Sequence, residues 1–274
     1  MTANKKLIKF IVVQGSSCAG KSVFTDYLVR NLKKQIKVEL LALDNFYHGT
    51  SFDYKDAQSE NYDFDNPAAL NWDKLKEVIK SYCNGDEFIN TSEYDFATQK
   101  RRDQIIKNTY PDVIIVEGIY GFNLFNSKVF DCTRLDPFKE PLEHDKPLEY
   151  YYKLNDLKID ADVIKIELLM DKSRMKMIRM NRDCQMRFKD STSSFVDMLN
   201  KRFERLIWPA TEKWVYTKYN KPDIIIKGGT FNQEECLKVG EKLFIDLVGK
   251  EFERDGMIFD KLVNMSSTSV IEKD

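Results

Sequence analysis

The stretch LIKFIVVQGSSCAGKS, residues 7–22, decides how the rest of the chain is read. Its first half, LIKFIVV (7–13), is apolar apart from Lys9, as a strand covered on both faces requires. GSSCAGKS (15–22) follows at once with the spacing G-x-x-x-x-G-K-S, and Phe24, Tyr27, Leu28 and Leu32 then recur at the helical period. Strand, glycine loop and helix N-terminus in that order form an anion site. The backbone of Gly15, Ser16, Ser17, Ala19 and Gly20 can turn N–H groups toward a β-phosphate, Lys21 can reach the β- and γ-phosphates, and Ser22 can ligate magnesium. The bland alternative, a glycine-rich turn with a surface lysine, does not need the motif to sit between a strand and a helix. The expected ligand is a nucleoside triphosphate.

Four further apolar runs repeat the pattern: VELLAL (38–43), DVIIVE (112–117), DVIKIELLM (162–170) and DIIIK (223–227). Helical periods lie between them, at Leu75, Val78, Ile79 and Tyr82, at Met175, Ile178 and Met186, and at Phe195, Met198, Leu199, Phe203 and Leu206. The alternation predicts an α/β fold, a central parallel sheet with helices on both faces and right-handed crossovers. Two stretches depart from it. Residues 86–110 read as a β-hairpin excursion, and residues 126–158, with Pro137, Pro141 and Pro147, as a loop-rich insert. A last helix through Leu237, Leu243, Phe244 and Leu247 is expected to end near Phe252, ahead of a flexible tail at 253–274.

With 274 residues the chain has enough material for one sizeable α/β core. A net charge of -1 argues against a nucleic-acid partner and against a basic membrane-binding surface. Cys18, Cys83, Cys132, Cys184 and Cys236 are odd in number and never in C-x-x-C spacing, which disfavours a disulfide framework or zinc site and suits the cytoplasm. The N-terminal apolar run is too short and mixed for a signal peptide or membrane helix.

The strand ends say what the triphosphate is for. The second strand runs into Asp44, in LALDNFY, and the third into Glu117, in VEGIYGF. Carboxyl ends of strands beside a phosphate loop are where metal-side and acceptor-side groups of phosphoryl transfer sit. Asp44 then suits the base for an acceptor hydroxyl, and Glu117 a magnesium-side carboxylate. Either alone reads as a helix cap or a solvated strand end. NKPD (220–223) fits the N-K-x-D guanine-reading pattern, but it precedes a strand instead of following one, so a turn feeding an edge strand is preferred over a GTPase.

GSSCAGKS, LALDNFY, YDFDNPAALNWDKL (62–75), EYDFATQKR (93–101), VEGI and DKSRMKMIRMNRD (171–183) together resemble the uridine/cytidine kinases, in order and with similar spacing. The resemblance implies a P-loop kinase fold, residues 1–252 as one domain, with 86–110 a substrate hairpin and 171–190 a helical lid. It implies ATP and Mg2+, and transfer to the 5′-hydroxyl of a small pyrimidine ribonucleoside. Carried over, Lys21 and Asp44 act in catalysis with the lid arginines Arg179 and Arg182, and Ser22 and Glu117 serve the metal. Tyr47, Phe64, Asp65, Tyr94 and Phe96 line the nucleoside pocket, with Asp65 accepting from ribose hydroxyls and Arg174 and Arg187 nearby. Three features depart from the family: Gln99 stands where a base-reading histidine is expected, MRFKD replaces the usual R-G-R-D turn, and the insert is longer than the family's connection. VEGIYGFN also resembles the nicotinamide riboside kinases, although Y-D-F-A-T and D-F-D-N-P fit the pyrimidine kinases better. A catalytically silent nucleotide-binding regulator is the alternative from another class, disfavoured by Asp44 and Glu117. Homo-oligomerisation is left open.

Overall fold

The computed structural model describes residues 7–51, 62–96, 98–159 and 161–250, and the expected flexible tail lies outside them. In chain order the main elements are β1 (Lys9–Gly15), α1 (Lys21–Leu32), β2 (Val38–Ala42), α2 (Trp72–Asn84), β3 (Phe88–Asp95), β4 (Lys100–Lys107), β5 (Val113–Gly118), β6 (Lys128–Phe130), β7 (Tyr152–Leu154), β8 (Asp162–Leu169), α3 (Lys172–Asn181), α4 (Ser193–Arg202), α5 (Trp208–Ala210), β9 (Ile224–Lys227) and α6 (Gln233–Val248). Five strands form one parallel sheet in the order β2-β5-β1-β8-β9.

The apolar runs are continuous because both faces of this sheet are covered. Phe10, Val12, Ile114 and Val116 point to a core shared with α2, with Trp214 and with aromatic side chains of the insert. Ile11, Val13, Ile115, Ile166 and Leu168 point the other way, against Phe24 and Leu28 of α1 and Val239 and Leu243 of α6. Each of these strand side chains is fully buried. Truncating one to alanine at such a position costs about 2–5 kcal/mol.

Side-chain caps set the helix starts. The Asn71 carboxamide accepts from the Lys74 N–H before α2, Asp171 from Arg174 before α3, and Asn232 from Glu235 before α6. Helix α6 stops at Val248, four residues short of Phe252, because Gly249 takes the left-handed conformation (φ 71°) and closes the last turn. Met186 is 60% exposed, off the expected core stripe, because beyond Asn181 the chain widens into π-type turns over Arg182–Arg187 and the 3.6-residue period lapses. α4 continues in the same way through π turns at Phe203–Ile207 and Thr211–Val215.

The expected hairpin is β3 and β4, an antiparallel pair standing apart from the main sheet. The insert carries more structure than its loop-rich sequence suggests. β6 and β7 pair antiparallel across it, and Phe130, Tyr151 and Tyr152 are buried against Trp72, Tyr120 and Trp214. NKPD is structural: the Asn220 amide donates to the Val215 carbonyl, and Asp223 accepts from the Lys165 N–H at 2.8 Å, fixing the start of β9. The five cysteines form no disulfide, and among the described residues no helix is long and apolar enough to cross a membrane.

Candidate active site

Sheet register assembles the site. Ala42 of β2 pairs with Glu117 of β5, and Glu117 pairs with Val13 of β1, two residues before the phosphate loop. Asp44 follows Ala42 in a single turn of 3-10 helix, Leu43–Phe46. Lys21 is 7% exposed; its ammonium donates to the Ser16 carbonyl at 3.1 Å and stands 3.9 Å from Glu117 Oε1. Ser22 Oγ donates to Glu117 Oε2 at 3.3 Å. Burial pushes the Glu117 carboxyl up to about 6; Lys21 pulls it down and Asp44 reinforces the rise. Burial holds the Tyr47 hydroxyl well above its ordinary range, and the Asp44 charge adds to that rise.

The loop itself is braced from a quarter that the motif does not mention. Gly20 starts α1 with φ +85°, and a Cβ there would lie 2.0 Å from Thr230 Oγ1. Thr230 N–H donates to the Ala19 carbonyl at 3.2 Å, and a Cβ on Gly229 (φ +55°) would lie 2.3 Å from that same oxygen. The turn after β9 therefore presses on the phosphate loop. Its sequence signal is the glycine pair in KGGTF, legible only once β9 is known to end beside β1's loop.

On the acceptor side the predicted aromatics do meet. Tyr47 lies 5.4 Å from Tyr94, 6.3 Å from Phe96 and 6.4 Å from Phe64, ring centre to ring centre. Gln99 joins them, 3% exposed and with φ +56°, but its amide is engaged within the hairpin: Oε1 accepts from the Tyr94 hydroxyl at 2.7 Å and Nε2 donates to the Phe96 carbonyl at 2.6 Å. Asp65 is 8% exposed and receives a two-pronged contact from Arg179, Nη1 to Oδ1 at 3.3 Å and Nη2 to Oδ2 at 3.4 Å.

Arg179 and Arg182 are both held by a residue the sequence reading passed over. Asp183, 1% exposed, lies 3.5 Å from Arg179 Nε and accepts from Arg182 Nε at 2.8 Å. Arg182, just past the end of α3, is also within electrostatic reach of Cys18 in the phosphate loop. The i, i+4 spacing of Arg179 and Asp183 was the available signal. Three more buried groups went unread. Asp63 is fully buried, pushed well above the usual carboxylate range by burial and by Asp65, against the pull of the Asp65 N–H, Arg202 and Arg179. Arg202 Nη2 donates to the Tyr62 carbonyl at 3.0 Å, and the Tyr120 hydroxyl donates to the Asp65 carbonyl. Arg174 is not brought to the aromatic group: it pairs with Asp171 at 3.5 Å and lies 5.5 Å over the Phe231 ring. Arg187 closes the π turn after α3, and its side chain lies outside what is described.

The donor set fits a magnesium-bound triphosphate. Ser22, Glu117 and Asp44 offer hard oxygen atoms, and Lys21 offers a buried ammonium folded over the loop. Among the described residues no group of three or more His, Cys, Asp or Glu could hold a metal ion.

Residues 10–138 match the model of the Phosphoribulokinase / Uridine kinase family. Among curated relatives, the uridine kinase of Mycoplasma genitalium is 29% identical over 133 residues, 47% of this chain and 59% of that one. The Staphylococcus aureus (strain JH9) uridine kinase is 35% identical over 116 residues, 42% of this chain and 55% of that one. That of Schizosaccharomyces pombe is 26% identical over 88% of this chain and 43% of its own length. The chain thus spans about half the length of the relatives it matches. A solved structure from Silicibacter sp. TM1040, described as a candidate fructose transport system kinase, superposes with a TM-score of 0.54 at 14% identity, over 82% of this chain and 93% of that one, a likeness of fold.

Proposed function

We propose that this chain, whose residues 10–138 match the model of the Phosphoribulokinase / Uridine kinase family, moves the γ-phosphoryl group of ATP to the 5′-hydroxyl of uridine or cytidine, giving the nucleoside monophosphate. Residues 1–252 are read as one kinase domain, with the hairpin and the Asp65 turn on the acceptor side and the α3 segment as lid. The observation that carries the reading is that Lys21 and Ser22, at the start of α1, meet Glu117 at the end of β5, with Asp44 in the turn after the paired strand β2.

In this reading the phosphate loop and Lys21 bind the triphosphate and follow its charge. Ser22 and Glu117 are the residues that would hold magnesium, which when bound neutralises phosphate charge. Asp44 orients the acceptor hydroxyl and takes its proton as the oxygen attacks in line. Tyr47, Tyr94, Phe96 and Phe64 form the walls around the base, Asp65 accepts from ribose hydroxyls, and Arg182, beside Cys18, faces the transferring phosphoryl group. Arg179 serves by holding Asp65. Closure of the α3 segment excludes water that would otherwise compete as acceptor.

Acceptor-dependent ADP release from ATP and magnesium, measured across uridine, cytidine, adenosine, guanosine and nicotinamide riboside, tests the proposal. Turnover with uridine or cytidine is expected. Asp44→Asn should lower kcat at least 100-fold with ATP binding retained, in line with the loss of a general base. Retained turnover removes Asp44 from that role.

A second reading, transfer to a nucleoside with a different base such as nicotinamide riboside, draws on Gln99. Its amide already serves Tyr94 and Phe96, which leaves one N–H and one lone pair for a base edge. Turnover with nicotinamide riboside in the same panel, and none with either pyrimidine, selects this reading.

A further inference from the structure

The insert meets the acceptor side at the turn carrying Phe64 and Asp65, and four contacts among the described residues mark that junction. The Asp63 N–H donates to the Pro137 carbonyl at 2.6 Å, and the Phe138 ring stands edge-on to Tyr62 at 5.2 Å. The Asn66 carboxamide nitrogen lies 3.2 Å from the Asp136 carbonyl and 3.3 Å from His144 Nε2. The Asn66 Oδ1 accepts from the Ala68 N–H at 2.9 Å and begins the short helix Pro67–Ala69. Both of its N–H groups thus belong to the insert, and Asn66 is the residue next to Asp65.

His144 is in turn fixed from behind. It is 5% exposed, its ring edge-on to Tyr151 at 5.4 Å and to Trp214 at 5.7 Å. The Lys213 ammonium donates to the His144 carbonyl and, at 2.9 Å, to that of Pro141, while Arg205 pairs with Glu140. Lys213 and Arg205 belong to the helical run that begins at α4, so the insert spans from that run to the Asp65 turn. The Asp136 carbonyl also lies 3.3 Å from His144 Nε2. One ring nitrogen cannot accept from Asn66 and donate to Asp136 at once. Asn66 can donate to both only when Nε2 carries no proton; with Nε2 protonated, His144 and Asn66 both donate to the Asp136 carbonyl instead.

From this junction we infer that residues 136–144 of the insert are a positioning element for the acceptor carboxylate: neutral His144, protonated at Nδ1, accepts from Asn66 and thereby sets the turn that presents Asp65 and Phe64. His144 is a positioning residue and touches no substrate. The inference rests on the proposed function for its kinetic consequence, and on the geometry alone for its structural one. The family match ends at residue 138, inside the insert, so the pin at residue 144 lies beyond the matched region.

Two variants test it in the full chain. In His144→Leu the Asn66 N–H loses its acceptor, whereas His144→Gln can offer an amide oxygen in its place. His144→Leu is expected to raise the acceptor KM about tenfold with kcat and the ATP KM within about twofold, and His144→Gln to recover most of that rise. An unchanged acceptor KM in the leucine variant, or an equal loss for ATP and acceptor, overturns the inference. The chain has only two histidines, His48 and His144. Long-range proton–nitrogen NMR spectra, assigned with a His48→Gln variant, should show His144 Nε2 as an unprotonated acceptor at pH 7.5. An Nε2–H tautomer overturns the pin. If the wild-type chain turns over no nucleoside, the proposed function fails, and amide hydrogen exchange decides the positioning separately. Faster exchange confined to Asp63–Asn66 in His144→Leu, reversed in His144→Gln, supports it, and unchanged exchange there refutes it.

Discussion

Glu117 lends itself to a quantitative test because its carboxyl is buried, 7% exposed, and its folded-state value is pushed up to about 6 from an ordinary 4.5. Burial disfavours the charged form more than Lys21 favours it, and Asp44 adds to the rise. The folded state therefore holds the Glu117 proton more tightly than the unfolded chain does. Its stabilising share is complete below pH 4.5 and is lost as the pH rises through about 6. A difference of about 1.5 units corresponds to about 2 kcal/mol in all, of which about 1.2 kcal/mol falls between pH 5 and pH 7. Glu117→Gln keeps the shape and removes the titration. In urea unfolding of the ligand-free protein, the stability of Glu117→Gln relative to wild type should thus improve by about 1 kcal/mol from pH 5 to pH 7. Taking the difference between the two proteins cancels carboxylates that Glu117 does not contact. Two parallel pH profiles, or a relative loss for the variant with rising pH, would refute the claim that desolvation outweighs Lys21. With magnesium and ATP present the preference should reverse, because a neutral amide neither balances Lys21 nor offers a charged oxygen to a metal.

Three other perturbations probe separate parts of the site. Gly20→Ala forces a Cβ to 2.0 Å from Thr230 Oγ1 at φ +85° and should cost about 2–4 kcal/mol, with Thr230→Gly recovering the steric share and leaving about 1–2 kcal/mol of backbone strain, both read from thermal unfolding. Asp65→Ala removes one of the two carboxylates that pair with buried Arg179, leaving Asp183 at 3.5 Å, and should cost about 3 kcal/mol, the low end for breaking a buried pair; a double variant with Arg179→Met should cost less than the two single changes summed. Asp223→Ala removes the 2.8 Å bond to the Lys165 N–H, so a loss of about 1 kcal/mol in urea with no change in the ATP-to-GTP preference is expected, and a change in that preference would revive a guanine-reading role for NKPD.

The parts of this molecule that sequence made legible are those encoded within one element. LIKFIVV and DVIIVE read as two-faced strands because Ile11 and Val13 serve one core while Phe10 and Val12 serve the other, and no polar residue interrupts either set. The phosphate loop was legible because its strand, turn and helix are contiguous. Asp44 and Glu117 could be anticipated from strand ends, but their meeting depends on the pairing of Ala42 with Glu117 across β2 and β5, which only the sheet order supplies. What escaped depends on contacts between residues far apart in the chain. The role of Asp183 is not encoded in RMNRD by itself, because it depends on Asp65, more than a hundred residues earlier, sharing Arg179 with it. Asp63, in YDFDNP, is fully buried and its N–H donates to the Pro137 carbonyl of the insert, a contact that no local pattern encodes. Gln99 illustrates the limit most sharply. As a residue type it can donate and accept, which suited a base-reading role. At φ +56° in a tight hairpin turn, however, its amide closes on Tyr94 and Phe96 first, so what this pocket can read is set by the turn's backbone as much as by the side chain.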